Sequence, residues 1–210
     1  MCGRYYIDDA AVKAIVTLVR SIDRDLKFGK KRDIYPSNES LALYEGMGQV
    51  EAGWMKWGYP GFQKDSLLIN ARAESALEKR TFAEDIQTRR CVLPAGGFYE
   101  WNSRKEKCSF WRADASVLYM AGCFHIWENK KCFVILTTEA NASVAGVHSR
   151  MPLVLEPDEV KTWILDGNSV SELLKKSPHS WSEARSMSNC RFFSCARETQ
   201  KDLGHCADLS

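Results

Sequence analysis

From Cys91 to Thr138 the chain breaks into short apolar and aromatic runs divided by turn residues, and that cadence commits its centre to β-structure. The runs are 91–93, 98–101, 108–112, 117–127 and 131–138, and the last two meet at Glu128-Asn129-Lys130, the composition of a hairpin turn. Upstream, 40–44 and 49–59 read as strands after a turn at Tyr35-Pro36-Ser37-Asn38, and 152–155 reads as a further short strand. Helical periodicity is confined to the flanks. Asp8 or Asp9 can cap a helix with Val12, Ile15, Val16, Val19 and Ile22 on its apolar face. Residues 71–89 suggest a second, anchored by Leu77, Phe82 and Ile86, while Pro157 and Asp158 open a third through Leu165 and 169–176 a fourth. Strands grouped apart from helices give an α+β fold with a mainly antiparallel, barrel-like β core flanked by helices. At 210 residues this is one domain, with no internal repeat and no linker. It is expected to span 1–185, followed by a divergent tail over 186–210 for which partial disorder is one reading.

The net charge of +2 supplies no global basic field, so a nucleic-acid partner would have to be held by a local patch. Apolar runs fall short of the roughly 18 residues a spanning helix needs, and the start lacks a signal-peptide pattern, so the expected compartment is the cytoplasm. There, eight cysteines do not form a disulfide framework. No C-x-x-C pair occurs, and Cys190, Cys195 and His205-Cys206 match no standard zinc spacing, so neither metal nor cofactor is expected. Cys91, Cys123 and Cys132 sit in strand-like runs where buried, inert thiols are usual.

The chemistry begins at Met1-Cys2-Gly3-Arg4. Removing one methionine leaves a cysteine whose thiol and α-amine lie on adjacent carbons. Such a 1,2-aminothiol condenses with an aldehyde to an imine and closes to a thiazolidine, or uses its amine as base for its own thiol. An α-amine with a pKa of about 7.7–8.0 is partly unprotonated at neutral pH. Four other clusters could serve it. Asn70 and Arg72 lie at an expected strand-to-helix junction facing a cleft. Glu100 stands between Tyr99 and Trp101, where its pKa can rise towards a working acid/base value, although a solvated edge-strand glutamate would look the same. His148 precedes Arg150-Met151-Pro152 in an expected turn. Trp54, Trp57, Tyr59, Phe62, Tyr99 and Trp101 could stack on bases, with at least half of them expected in the core. Arg4, Arg72 and Arg150 each carry the planar fork that suits a phosphate.

Met1-Cys2-Gly3-Arg4, Trp57-Gly58-Tyr59-Pro60-Gly61, Asn70-Ala71-Arg72-Ala73-Glu74, Gly97-Phe98-Tyr99-Glu100-Trp101 and His148-Ser149-Arg150-Met151-Pro152 follow the order and spacing of the SOS-response-associated peptidase-like (SRAP) family over about 165 residues. The resemblance implies a sensor and shield of abasic sites in single-stranded DNA, joined covalently through Cys2. It also implies self-removal of the initiator methionine, and a lyase activity at the abasic site is a further expectation. By the same resemblance Cys2 is the crosslinking nucleophile, Asn70 positions it, Glu100 is acid/base near the amine and His148 assists opening of the sugar. Arg4, Arg72 and Arg150 would hold phosphates, with Trp57 or Trp101 covering the gap left by the missing base. A monomer acting on nucleoid DNA, with no membrane partner, is expected. The chain departs from the family at Tyr35-Pro36-Ser37-Asn38, where many members have Asn-x-Ala-Pro, and at Ser149, often acidic elsewhere.

Three other readings compete. A glutamine amidotransferase also begins Met-Cys-Gly, but normally works with a synthetase. A non-covalent reader of modified or single-stranded nucleic acid, in which Cys2 is incidental, would bind unchanged after Cys2→Ala. A plain cysteine autopeptidase would act on Met1 alone.

Overall fold

The computed structural model describes residues 2–19, 31–112 and 115–176. The expected tail at 186–210, with Cys190, Cys195, His205 and Cys206, lies outside the described residues, as does Ile22. The strands are β1 (Arg4–Ile7), β2 (Arg32–Ile34), β3 (Glu39–Gly46), β4 (Gln49–Trp57), β5 (Tyr59–Pro60), β6 (Leu67–Leu68) and β7 (Asn70–Arg72). They continue with β8 (Arg90–Ala95), β9 (Gly97–Trp101), β10 (Lys107–Phe110), β11 (Leu118–Trp127), β12 (Lys130–Glu139), β13 (Arg150–Pro152) and β14 (Val154–Leu155). Among the described residues, four short helices accompany them: α1 (Asp9–Leu18), α2 (Ala83–Thr88), α3 (Glu159–Leu165) and α4 (Val170–Leu174).

Five strands close into a barrel. β4 pairs with β3, β3 with β8, β8 with β11 and β11 with β12, all antiparallel, and β12 returns to β4 in parallel. Leu43, Val92, Leu93, Phe133 and Ile135 are wholly buried, as in a small barrel filled by its own side chains. The β11–β12 hairpin turns at Glu128 and Asn129, with φ of 49° and 64°, and pairs Trp127 with Lys130. Two central residues at positive φ make this a type I′ turn, whose twist matches the flanking strands.

A second sheet, ordered β10-β9-β1-β2, lies against the barrel. β8 runs into β9 through Gly96, whose N–H donates to the Tyr6 carbonyl at 3.0 Å. The next residue must be glycine: a Cβ on Gly97 would stand 2.3 Å from the Phe110 carbonyl oxygen and 2.8 Å from the Tyr6 ring. Tyr5 faces inward and meets Trp57 at 5.2 Å between ring centroids, joining the two sheets.

α1 is capped by Asp8, whose carboxylate accepts the Ala11 N–H at 3.1 Å. Ala11 and Ile15 are buried while Val16 is exposed, so the buried stripe is narrower than the sequence suggested. The expected helix over 71–89 is corrected. Asn70–Arg72 pairs in parallel with Ile135–Thr137 of β12, a short 3-10 turn follows at Ala73–Ser75, and only Ala83–Thr88 is α-helical. Backbone pairing with a central strand overrides the local helical preference of an alanine-rich stretch. The expected strand over 49–59 divides at Gly58, whose φ of 111° turns the chain out of β4 and into β5. Among the described residues, no helix is long and apolar enough to cross a membrane.

Candidate active site

Strand pairing assembles the site from distant segments. β1 and β9 are antiparallel with Arg4 opposite Tyr99, which carries Gly3 and Cys2 towards Glu100 and Trp101. On the other side, Asn70 and Arg72 are two apart on β7 and share a face, while Ala71 between them is buried. Asn70 Nδ2 donates to the Cys2 carbonyl at 2.9 Å across 68 residues of sequence. Its Oδ1 is buried with no hydrogen-bond partner among the described residues.

The Cys2 side chain is fully buried, and its thiol is 3.7 Å from the Arg4 carbonyl, to which it donates. Burial pushes the thiol well above its ordinary value, and the charge of Glu100 pushes it further. Glu100 is itself buried, on the strand between β1 and β10. The thiol is therefore held neutral, so it must lose its proton as it reacts.

His148 ends the loop before β13. Its Nδ1 accepts the Arg150 N–H at 2.9 Å, which leaves the proton of the neutral ring on Nε2. The Arg150 guanidinium is fixed by a bidentate pair with Glu74, at 2.7 and 2.9 Å, and it also donates to the Thr137 carbonyl. Thr137 lies opposite both Arg72 on β7 and Pro152 on β13, so β12 connects the Asn70–Arg72 edge with the His148–Arg150 edge. Arg72, Arg150, Ser149 and Glu139 line a surface cleft of about 420 Å³. Arg72 is exposed there. Arg4 instead pairs with Asp33 at 3.1 Å and lies over the Tyr35 ring at 4.2 Å.

One expectation is corrected here. Trp57 cannot cover a nucleotide gap, because it is wholly buried, stacked on Phe133 with planes 6° apart and donating its Nε1–H to the Ile69 carbonyl at 2.9 Å. It fixes the residue before Asn70 from below. Trp101 is 38% exposed on β9 and keeps a face for a ligand. Of the six aromatics singled out from sequence, Trp57, Tyr59 and Tyr99 are buried and Trp54, Phe62 and Trp101 exposed. Sequence reasoning missed Glu74 and Asp33, the carboxylates that set the two arginines; both contacts join residues remote in sequence.

The order of the motifs and this geometry converge with direct comparison. The profile of the family described as SOS response associated peptidase (SRAP) matches residues 1–190. The chain belongs to that family. Within the SRAP family it is similar to the abasic site processing protein YoaM of Bacillus subtilis, 29% identical over 194 residues, 83% of this chain and 84% of YoaM. It is equally similar to the abasic site processing protein YedK of Escherichia coli, 29% identical over 188 residues, 82% of this chain and 85% of YedK. A solved protein of Bacteroides thetaiotaomicron shares the fold, with a TM-score of 0.69 at 22% identity, covering 82% of this chain and 86% of the other.

Proposed function

We propose that this SRAP protein is an abasic-site processing protein that captures the aldehyde of an abasic site in single-stranded DNA with the aminothiol of Cys2. The observation that carries the reading is the hydrogen bond from Asn70 to the Cys2 carbonyl beside the buried Glu100, which fixes the cysteine backbone within a carboxylate's field. The names of YoaM and YedK as abasic site processing proteins support it.

The buried thiol sets the order of steps. With the thiol neutral, the amine of a Cys2 freed of Met1 attacks the sugar aldehyde first, and loss of one water gives an imine. Glu100 takes a proton from the amine and returns one to the leaving oxygen. His148, with its proton on Nε2, assists ring opening at the sugar oxygen. The thiol sulfur then bonds to the imine carbon, its proton passing to the imine nitrogen, and the thiazolidine closes. Asn70 Oδ1 accepts an N–H of the amine. Arg72 and Arg150 hold phosphates at the cleft, Arg150 exchanging part of its contact with Glu74, and Arg4 holds one beside Cys2. Trp101 covers the gap left by the missing base. The same amine-first chemistry admits a lyase branch from the imine, and removal of Met1 is assigned to this site with Glu100 as base.

The test is incubation with a single strand carrying one abasic site, read by denaturing electrophoresis. A shifted band from the wild type, absent with Cys2→Ala and with an undamaged strand, is expected. Cys2→Ser should give a band only after borohydride reduction, since its amine forms the imine but no sulfur closes the ring. A stable band from Cys2→Ala would overturn the reading.

A further inference from the structure

We propose that Tyr59, anchored by the buried carboxylate of Asp85, is a positioning residue that sets Asn70 against Cys2; this rests on the function proposed above. The effect passes through the hairpin β5–β6. Tyr59 pairs with Leu68 and Pro60 with Leu67, and among the described residues these two strands pair with no other. A two-stranded ribbon is at best marginal by itself, so this one needs an external hold. It also leads straight into the site, since Leu68 is two residues before Asn70. Between them the Ile69 carbonyl accepts the Trp57 Nε1–H at 2.9 Å and the Ile135 N–H at 3.1 Å. At the other end the Gly58 N–H donates to the Phe133 carbonyl at 2.8 Å, which leaves the ribbon itself to be fixed.

Tyr59 supplies that hold. It is wholly buried, its ring edge-on to Trp127 at 4.6 Å between centroids and tilted against Phe82 at 5.8 Å. Its hydroxyl donates to Asp85 Oδ2 at 3.0 Å, and the Cys123 sulfur lies 3.5 Å from the hydroxyl oxygen. Asp85, on α2, is 2% exposed and its second oxygen is also engaged. Arg89 Nε donates to Oδ1 at 2.6 Å, and Nδ1 of His125 on β11 lies 3.0 Å from the same atom. An ionised carboxylate only accepts, which puts the His125 proton on Nδ1. Arg89 is held in turn by Glu84 at 2.8 Å. Donors from β5, β11 and the end of α2 thus meet at one carboxylate.

Apolar side chains of similar volume would fill this space without the cost of burying a charge. What the charge adds is direction. Packing alone lets a ring slide, whereas a charge-assisted hydrogen bond fixes where the hydroxyl sits. Asn70 is where that precision is used: Nδ2 has to reach the Cys2 carbonyl, and the buried Oδ1 has to face the amine. Groups of this kind work only when held to within about 0.5 Å of their productive geometry. A ribbon that slides carries Leu68 with it, and so moves the strand that begins at Asn70.

The test compares wild type with Tyr59→Phe, which keeps the ring and removes only the hydroxyl. With saturating abasic strand, single-turnover crosslinking should slow about threefold, while the strand concentration giving half the maximal rate stays unchanged. In an Asn70→Ala background the same substitution should change the rate by less than about 1.5-fold, because no amide is left to misplace. Leu174→Ala, a cavity-forming truncation of a buried residue on α4, should crosslink at the wild-type rate, which separates positioning from loss of stability. The side-chain amide signals of Asn70, recorded by NMR on protein free of DNA, give a reading independent of the reaction. They should move towards those of a solvent-exposed amide in Tyr59→Phe and stay in place in Leu174→Ala. A Tyr59→Phe rate equal to wild type overturns the inference, as does an equal loss in both backgrounds or an Asn70 signal that does not move. Failure of the wild type to crosslink sinks the proposed function instead, and the Asn70 signal then decides by itself whether Tyr59 sets that side chain.

Discussion

Asn70 couples strand geometry to chemistry through one amide. Its loss removes the hydrogen bond to the Cys2 carbonyl, a net contribution of about 1 kcal/mol, so Asn70→Ala should slow single-turnover crosslinking about five- to tenfold and lower the melting temperature by about 2–4 °C. Asn70→Asp should be slower still, because a carboxylate would then face a carbonyl oxygen; a rate equal to wild type in both would contradict the assignment. Glu74 gives a pH signature. Its pairing with Arg150 holds the carboxyl below its ordinary value, so the native state favours the ionised form. The resulting stability is present above the unfolded carboxylate range and is lost as pH falls through the depressed native value. Melting temperature followed from pH 6 down to about 3 should therefore fall less steeply for Glu74→Gln than for wild type. At this scale the sequence was legible as motifs: Cys2, Asn70 and Glu100 were singled out from short segments and a family resemblance, and the fold brings the three together, while their chemical roles belong to the proposal. Trp57 was misread, yet the signal was there. Trp54 and Lys56 are exposed and Met55 and Trp57 buried, so strict alternation along β4 places Trp57 inside. Glu74 and Asp33 left no such signal, because their value lies in contacts to arginines far along the chain.

Secondary-structure elements were legible where the pattern and the tertiary fold agree. Positions 128 and 129 adopt the two positive φ angles of the hairpin that the turn composition indicated. The segment over 71–89 failed because its alanine-rich sequence favours a helix locally, whereas pairing of Asn70–Arg72 with β12 draws its start into the sheet. Arg90 shows how the helices are fastened to the barrel. Its buried guanidinium donates to the Trp163, Ile164, Ile86 and Gln87 carbonyls, satisfying the last turns of both α3 and α2. Loss of these contacts leaves buried carbonyls unpaired, so Arg90→Ala should lower unfolding stability by about 3 kcal/mol in urea titration. Arg90→Lys should recover only part, since an ammonium cannot span carbonyls from two helices. A change within experimental error would show that α2 and α3 are held by apolar packing alone.

The whole molecule is organised around β12, which closes the barrel against β4 and β11 and carries β7 and β13, the strands that bear Asn70, Arg72 and Arg150. Closure of this kind could be anticipated as barrel-like from many short strands, but its parallel step could not, because no local pattern distinguishes a parallel partner from an antiparallel one. Native-state hydrogen exchange should find the amides around Ile135 and Leu136, paired within the sheet and wholly buried, among the slowest, and those of α4 among the fastest in regular structure. Comparable exchange in both would mean that the barrel opens as readily as the periphery. The same rigidity holds the Cys2 carbonyl against Asn70, and the proposed capture depends on it. The decisive experiment is intact-mass analysis, under denaturing conditions, of the species formed with a single strand bearing one abasic site. A mass equal to the protein without Met1 plus the DNA less one water, stable to high salt and absent with Cys2→Ala, is the predicted result. Unmodified protein and DNA, with Met1 shown to be absent, would contradict covalent capture at Cys2.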